Sequence, residues 1–153
     1  MAAIDAHEHT DLTGPAAEEA VRRLEAFGAH ARFQGKTVLD QNRLRRLMSR
    51  HDPTVYPGEY VTCVHDHNKA LCERARHRRS EDLPDHSGCK PLACRNVALT
   101  PENTATWQRE IDRIDRRLTS RPPLPPLLRH RLDARRAETT AFLRRNSTTR
   151  ETA

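Results

Sequence analysis

Four cysteines are gathered between residues 63 and 94. Cys63 and Cys72 have eight residues between them, Cys89 and Cys94 have four, and a polar stretch of sixteen, rich in His and Arg, separates the two pairs. Thiolates are soft ligands, and four of them enclose a tetrahedral zinc ion at about 2.3 Å. The Cys89–Cys94 spacing suits the knuckle of a structural zinc site, whereas eight residues are too many for a standard one. The expected ligand set is Cys63, Cys72, Cys89 and Cys94 around a structural Zn2+. His65, His67, His77 or His86 could replace one or two of these thiols, and unliganded or transiently oxidised thiols are the remaining alternative. With every coordination position taken by protein, no place is left for water, so such a centre binds and does not catalyse.

Other chemistry finds little support. There is no Gly-rich phosphate loop, no Ser-His-Asp arrangement and no pair of carboxylates set for acid–base work. Tyr56 and Tyr60 are better placed to anchor the loop ahead of Cys63 than to act as nucleophiles. His7-Glu8-His9 has the look of a metal-binding triplet, but in a polar terminus chance explains it as well. No catalytic residues are expected.

A zinc ion would compensate for a small core. Leu, Ile, Val and Phe number 27 of 153 residues, below the roughly 20 % at which a chain struggles to bury enough apolar surface. A structural zinc contributes about 10–16 kcal/mol in zinc-finger peptides at neutral pH, enough to change that balance. In a reducing compartment four cysteines serve as metal ligands or buried thiols more often than as disulfides.

The formal net charge is +6, and 24 of the 27 basic residues are Arg. The Arg fork grips phosphate through two hydrogen bonds, which points to nucleic acid. A GC-rich genome explains abundant Arg and Ala equally well. Residues 1–31 carry six acids against two Arg, whereas 101–153 carry twelve Arg against seven acids, so a polyanion is expected on the later part. Neither a signal peptide nor a run of about 18 apolar residues is present, and the chain reads as cytoplasmic, nucleoid-associated if it binds DNA, with no membrane and no small-molecule substrate.

The elements that must position the cysteines are mostly helical. Thr13-Gly14-Pro15 starts a helix with Ala17, Ala20, Val21, Leu24 and Phe27 on one face, ending between Gly28 and Arg32. Thr37 and Asp40 have capping-box spacing ahead of a second helix with Leu44, Leu47 and Met48 inward and Arg43, Arg45, Arg46 and Arg50 outward. Val55 to Val64, interrupted by Pro57-Gly58, suits an extended segment or short hairpin. A short helix from Asp66 leads into Arg74, Arg76, Arg78 and Arg79, and 80–91 is loop.

Thr100-Pro101 is the clearest helix start, followed by Trp107, Ile111, Ile114 and Leu118 in one seam. The proline-rich stretch 121–126 breaks that helix. A last helix from Pro126 to Arg145 has Leu128, Leu132, Thr139, Phe142 and Leu143 inward and folds back as an antiparallel hairpin, with Trp107 near Phe142. The expected fold is mainly α: a small helical domain with a cysteine-rich, zinc-stapled loop region and a C-terminal helix hairpin. Its divisions are a mobile arm 1–12, a helical segment 13–100 holding the cysteines at 63–94, the hairpin 101–145 and a mobile tail 146–153.

The runs VYPGEYVTC (55–63), KALC (69–72) and CKPLACRNVALT (89–100) resemble the C-terminal region of actinobacterial integrase-like proteins of mobile elements, of the phage-integrase or tyrosine-recombinase type. The resemblance covers roughly residues 14–145 and implies an accessory to DNA integration and recombination. It does not carry activity over: no His is followed by Arg at the third position and no Tyr lies after Tyr60, so the Arg, His-x-x-Arg and late Tyr of the recombinase catalytic domain are absent.

The expected function is therefore a zinc-stabilised, non-catalytic DNA-binding module. Phosphate contacts are expected from Arg43, Arg45, Arg46, Arg74, Arg76, Arg78 and Arg79. The alternative is a protein–protein interaction module that docks on a recombinase catalytic subunit through the C-terminal hairpin.

Overall fold

A computed structural model describes residues 12–33, 53–72 and 89–147. Three helices and a small sheet make up the described part: α1 Ala17–Phe33, β1 Val55–Pro57, β2 Thr62–Val64, β3 Val97–Ala98, α2 Pro101–Leu118 and α3 Pro126–Ser147. The expected helix over residues 37–50 and the basic cluster at 74–79 lie outside the described residues.

The sheet is antiparallel in the order β1-β2-β3. Its register places Val55 opposite Val64, Tyr56 opposite Cys63, and Cys63 opposite Val97. Because side chains alternate along a strand, one face carries Val55, Val64 and Ala98, which pack with Ala16 and Ala20 at the start of α1. The opposite face carries Tyr56, Cys63 and Val97, and Val97 packs with Leu99, Trp107 of α2 and Phe142 of α3.

The hairpin Val55–Val64 is the second of the two forms expected for this stretch, an extended segment or a short hairpin interrupted by Pro57-Gly58. The third strand has no counterpart in that reading, because two residues are too few to show a period. The segment ahead of α1 extends the sheet: Thr13 and Leu99 exchange backbone hydrogen bonds at 2.9 and 2.8 Å, and Ala16 N–H donates to the Val97 carbonyl at 3.0 Å. Leu12, expected in a mobile arm, packs against the α1 cluster. Gly14 has a φ of 100°, and a Cβ there would lie 3.0 Å from the Val97 oxygen. Only glycine allows so close an approach in that conformation.

Arg23 fastens α1 to the sheet. Its Nη1 donates to Thr54 Oγ1 at 2.6 Å and to the His65 carbonyl at 2.8 Å, while its Nε donates to Glu19 at 2.6 Å. The Arg23 hydrogen bond holds the Glu19 carboxyl below its ordinary range.

The start of α2 is a full capping box. Asn103 N–H donates to Thr100 Oγ1 and Thr100 N–H donates to Asn103 Oδ1, both at 3.1 Å, so two end donors of the helix are satisfied. Trp107, Ile111 and Ile114 are buried along the expected seam and Leu118 is partly so. The hairpin is antiparallel, with Trp107 and Phe142 rings 5.9 Å apart in edge contact and Arg136 of α3 paired with Asp115 of α2.

The beginning of α3 departs from the expectation. Leu128 is 40 % exposed and Leu127 64 %; burial on α3 is confined to Thr139, Phe142 and Asn146. The apolar residues of the first turns therefore face outward beyond the reach of α2. The helix runs to Ser147, and Asn146 Nδ2 donates to the Phe142 carbonyl at 2.8 Å, inside the stretch expected to be tail. No helix among the described residues is long and apolar enough to cross a membrane.

Candidate metal centre

Cys63 is brought to its place by the sheet, as the middle residue of β2 between Tyr56 and Val97. Cys72 arrives through a turn beyond β2, where Lys69 and Ala70 N–H groups both donate to the Asp66 carbonyl at 3.0 Å and residues 71–72 are helical. The far side of that turn is tied to the second pair: Asn96 Nδ2 donates to the Asp66 carbonyl at 3.0 Å, and Val64 N–H to the Asn96 carbonyl at 2.7 Å. Asn96 is 2 % exposed and bridges the two cysteine-bearing segments. Between Cys89 and Cys94 the chain makes a tight turn, with Ala93 and Cys94 N–H groups donating to the Lys90 carbonyl at 3.1 and 3.0 Å.

All four thiols are free, and all four line one cavity of about 330 Å³. Tyr56 and Val97 of the sheet, Trp107 and Glu110 of α2, and Arg135 of α3 are also in its wall. Tyr60 lies edge-on to Trp107 at 4.8 Å, and the Arg135 guanidinium stands 5.7 Å over the indole.

The electrostatics follow from this convergence. Burial pushes the Cys63 thiol up to about 12, and the neighbouring Cys94, Cys89 and Cys72 add to it. Burial likewise raises the Cys89 thiol, followed by the influence of Cys94 and Cys72. At Cys63 and Cys89 the neighbouring sulfurs thus disfavour a negative charge, the condition that a bound cation relieves.

Among the described residues, no group of three or more His, Cys, Asp or Glu side chains stands at spacing that would hold an ion as it is. The cavity is wider than one ion needs, so coordination requires the thiols to draw inward. Cys72 is buried, Cys63 and Cys94 are half-buried and Cys89 is exposed; the donor set itself, four soft sulfurs, fits zinc. His65 and His67 lie 4.8 Å apart in edge contact and do not line the cavity; His77 and His86 lie outside the described residues.

The seven arginines expected to touch phosphate, Arg43, Arg45, Arg46, Arg74, Arg76, Arg78 and Arg79, also lie outside the described residues. The hairpin presents others. Between residues 101 and 147 there are eleven Arg against six acids, and every one of these arginines is exposed. Arg113, Arg136, Arg129 and Arg135 pair with Glu110, Asp115, Asp133 and Glu138 respectively. Asn96, Asn103 and Trp107 as cavity and turn supports were not distinguished in the sequence as site residues; the capping spacing from Thr100 was the one signal that pointed at Asn103.

Compared with known proteins, the chain matches no family model, no curated protein and no solved structure.

Proposed function

We propose that this chain is a non-catalytic, zinc-stapled DNA-binding module that serves a site-specific recombinase of the integrase type. The observation that carries the reading is the convergence of four free thiols on one cavity walled by both the sheet and the helix hairpin. A zinc ion held by Cys63, Cys72, Cys89 and Cys94 ties β2 to the segments that carry the other three thiols, beside the hairpin residues of the cavity wall, and leaves no open position for chemistry. The hairpin then offers a rigid surface in which guanidinium groups outnumber carboxylates, suited to phosphate. The arginines at 43–46 and 74–79, expected from the sequence to touch phosphate, belong to the same reading. The resemblance of the runs at 55–63, 69–72 and 89–100 to integrase C-terminal regions is in keeping with this reading.

Metal content and DNA affinity test it together. Protein prepared without chelator is expected to carry about one zinc per chain, and binding to a mixed-sequence duplex should weaken roughly 10²-fold from 50 to 200 mM salt for four phosphate contacts. A flat salt response removes the DNA reading.

A second reading has its own support in Leu127 and Leu128, exposed beside the proline-rich turn of the hairpin. That apolar end is suited to a recombinase catalytic subunit. A concentration-dependent size in solution without a DNA shift, abolished by Leu127→Asp with Leu128→Asp, favours it.

A further inference from the structure

Trp107 is 2 % exposed, and its indole Nε1 is buried without a hydrogen-bond acceptor. Buried indole N–H groups are nearly always paired, since leaving one unpaired costs about 1–3 kcal/mol. The indole nitrogen is a donor only, so what it lacks is an acceptor. The cavity lined by Trp107 contains the four thiols, and Cys94 packs against the apolar cluster to which Trp107 belongs. Glu110, the carboxylate in the same wall, is engaged by Arg113 through two hydrogen bonds of 2.8 Å. A neutral thiol is a weak acceptor, whereas a metal-bound thiolate keeps lone pairs and negative charge that accept strongly.

We propose that the indole N–H of Trp107 donates a hydrogen bond to the metal-bound thiolate of Cys94. This rests on the metal reading above and adds to it a positioning residue and a path of coupling. Donation to the sulfur spreads its charge and favours the bound thiolate over the free thiol, the role that outer partners of metal ligands commonly play. No proton is transferred. The same ring packs on Phe142 of α3 and Tyr60 of the β1–β2 turn, so the ion is coupled to the hairpin through a single side chain. Loss of the ion removes the acceptor, and the hairpin loses its preferred seat.

The test replaces Trp107 with 3-benzothienylalanine, which keeps the shape of the bicyclic ring and exchanges N–H for sulfur, in the full chain. Zn2+ and Co2+ are titrated against a chelator of known affinity. The expected result is about tenfold weaker binding of both ions, with the sulfur-to-cobalt charge-transfer band moved to lower energy, since the thiolate has lost its donor. Trp107→Phe should show the same band shift, with a larger loss of thermal stability from its smaller ring. If the isosteric variant binds both ions as tightly as the wild type with an unchanged band, the Trp107 assignment is overturned while the metal reading stands. If the wild type takes up neither ion, both are overturned.

Discussion

The side-chain amide of Asn103, in the first turn of α2, donates to the backbone carbonyl of Gly58 in the β1–β2 turn at 2.8 Å, and to that of Glu59 at 3.0 Å. Its oxygen accepts from Thr100 N–H and, at 3.4 Å, from Thr62 Oγ1. One buried amide thus fixes a helix start, a turn and the strand that carries Cys63. Asn103→Ala leaves several of these groups without partners and should destabilise the protein by about 2–4 kcal/mol. Asn103→Asp, which sets a carboxylate against two carbonyls, should be at least as damaging at pH 7. Urea unfolding of the two variants checks both expectations.

Glycine substitutions should differ in sign. At Gly14 a methyl group meets the Val97 oxygen in a left-handed backbone, and Gly14→Ala is expected to cost about 1–2 kcal/mol. At Gly28, in the interior of α1, nothing lies within 4 Å of a new Cβ. Gly28→Ala should therefore stabilise by about 0.5–1 kcal/mol through helix propensity. Thermal melts of the pair, run side by side, distinguish the two.

Arg23 should resist conservative replacement. Lysine keeps the charge but cannot reach Glu19, Thr54 and His65 at once with one ammonium group. Arg23→Lys is expected to destabilise by about 1–2 kcal/mol, and Arg22→Lys, on the exposed side of the same helix, by much less. Because the Glu19 carboxyl is held low by Arg23, its contribution is fully present above the ordinary carboxylate range and is lost as pH falls from there through the lowered value of the folded chain. Wild type and Arg23→Lys should accordingly converge in stability under acid, which denaturation at pH 7 and pH 3 measures.

The raised Cys63 thiol sets an alkaline limit on the metal-free protein. Between its ordinary value of 9.0 and about 12 the folded chain keeps this proton while the unfolded chain releases it. The unfolded state then binds fewer protons, and stability falls as pH rises through that window. With chelator present, the melting temperature should drop between pH 8 and pH 10.5, and Cys63→Val should blunt the drop. Metal affinity runs the other way, rising with pH as thiols ionise, so added Zn2+ should reverse the alkaline loss.

The long helices were legible because their signals are redundant. Thr100, Pro101 and the Trp107–Ile111–Ile114 seam agree on α2, and Trp107 meets Phe142 as the hairpin reading required. The small sheet was half legible. Val55 to Val64 carries enough Val and Tyr about the Pro57-Gly58 break to suggest a hairpin, but β3 is two residues whose strand character comes from pairing with Thr62 and Cys63, a tertiary cause with no local period. Leu128 was misplaced because periodicity indicates which face a residue shares and says nothing of whether a partner extends far enough to cover it. For the cysteines, composition pointed to a common centre. The support from Asn96 and Trp107 depends on distances in the folded chain that spacing does not encode.

The placement of Cys63 at the middle of a three-residue strand makes the centre sensitive to chain length as well as to chemistry. Inserting or deleting one residue in the turn at 58–61, in a way that slid β2 by one position against its neighbours, would turn that sulfur toward α1 and bring Thr62 or Val64 to the cavity wall. The cysteine count would be unchanged and every ligand still encoded. Such a variant would nevertheless have three thiols at the centre in place of four, so the length of this turn belongs to the definition of the site.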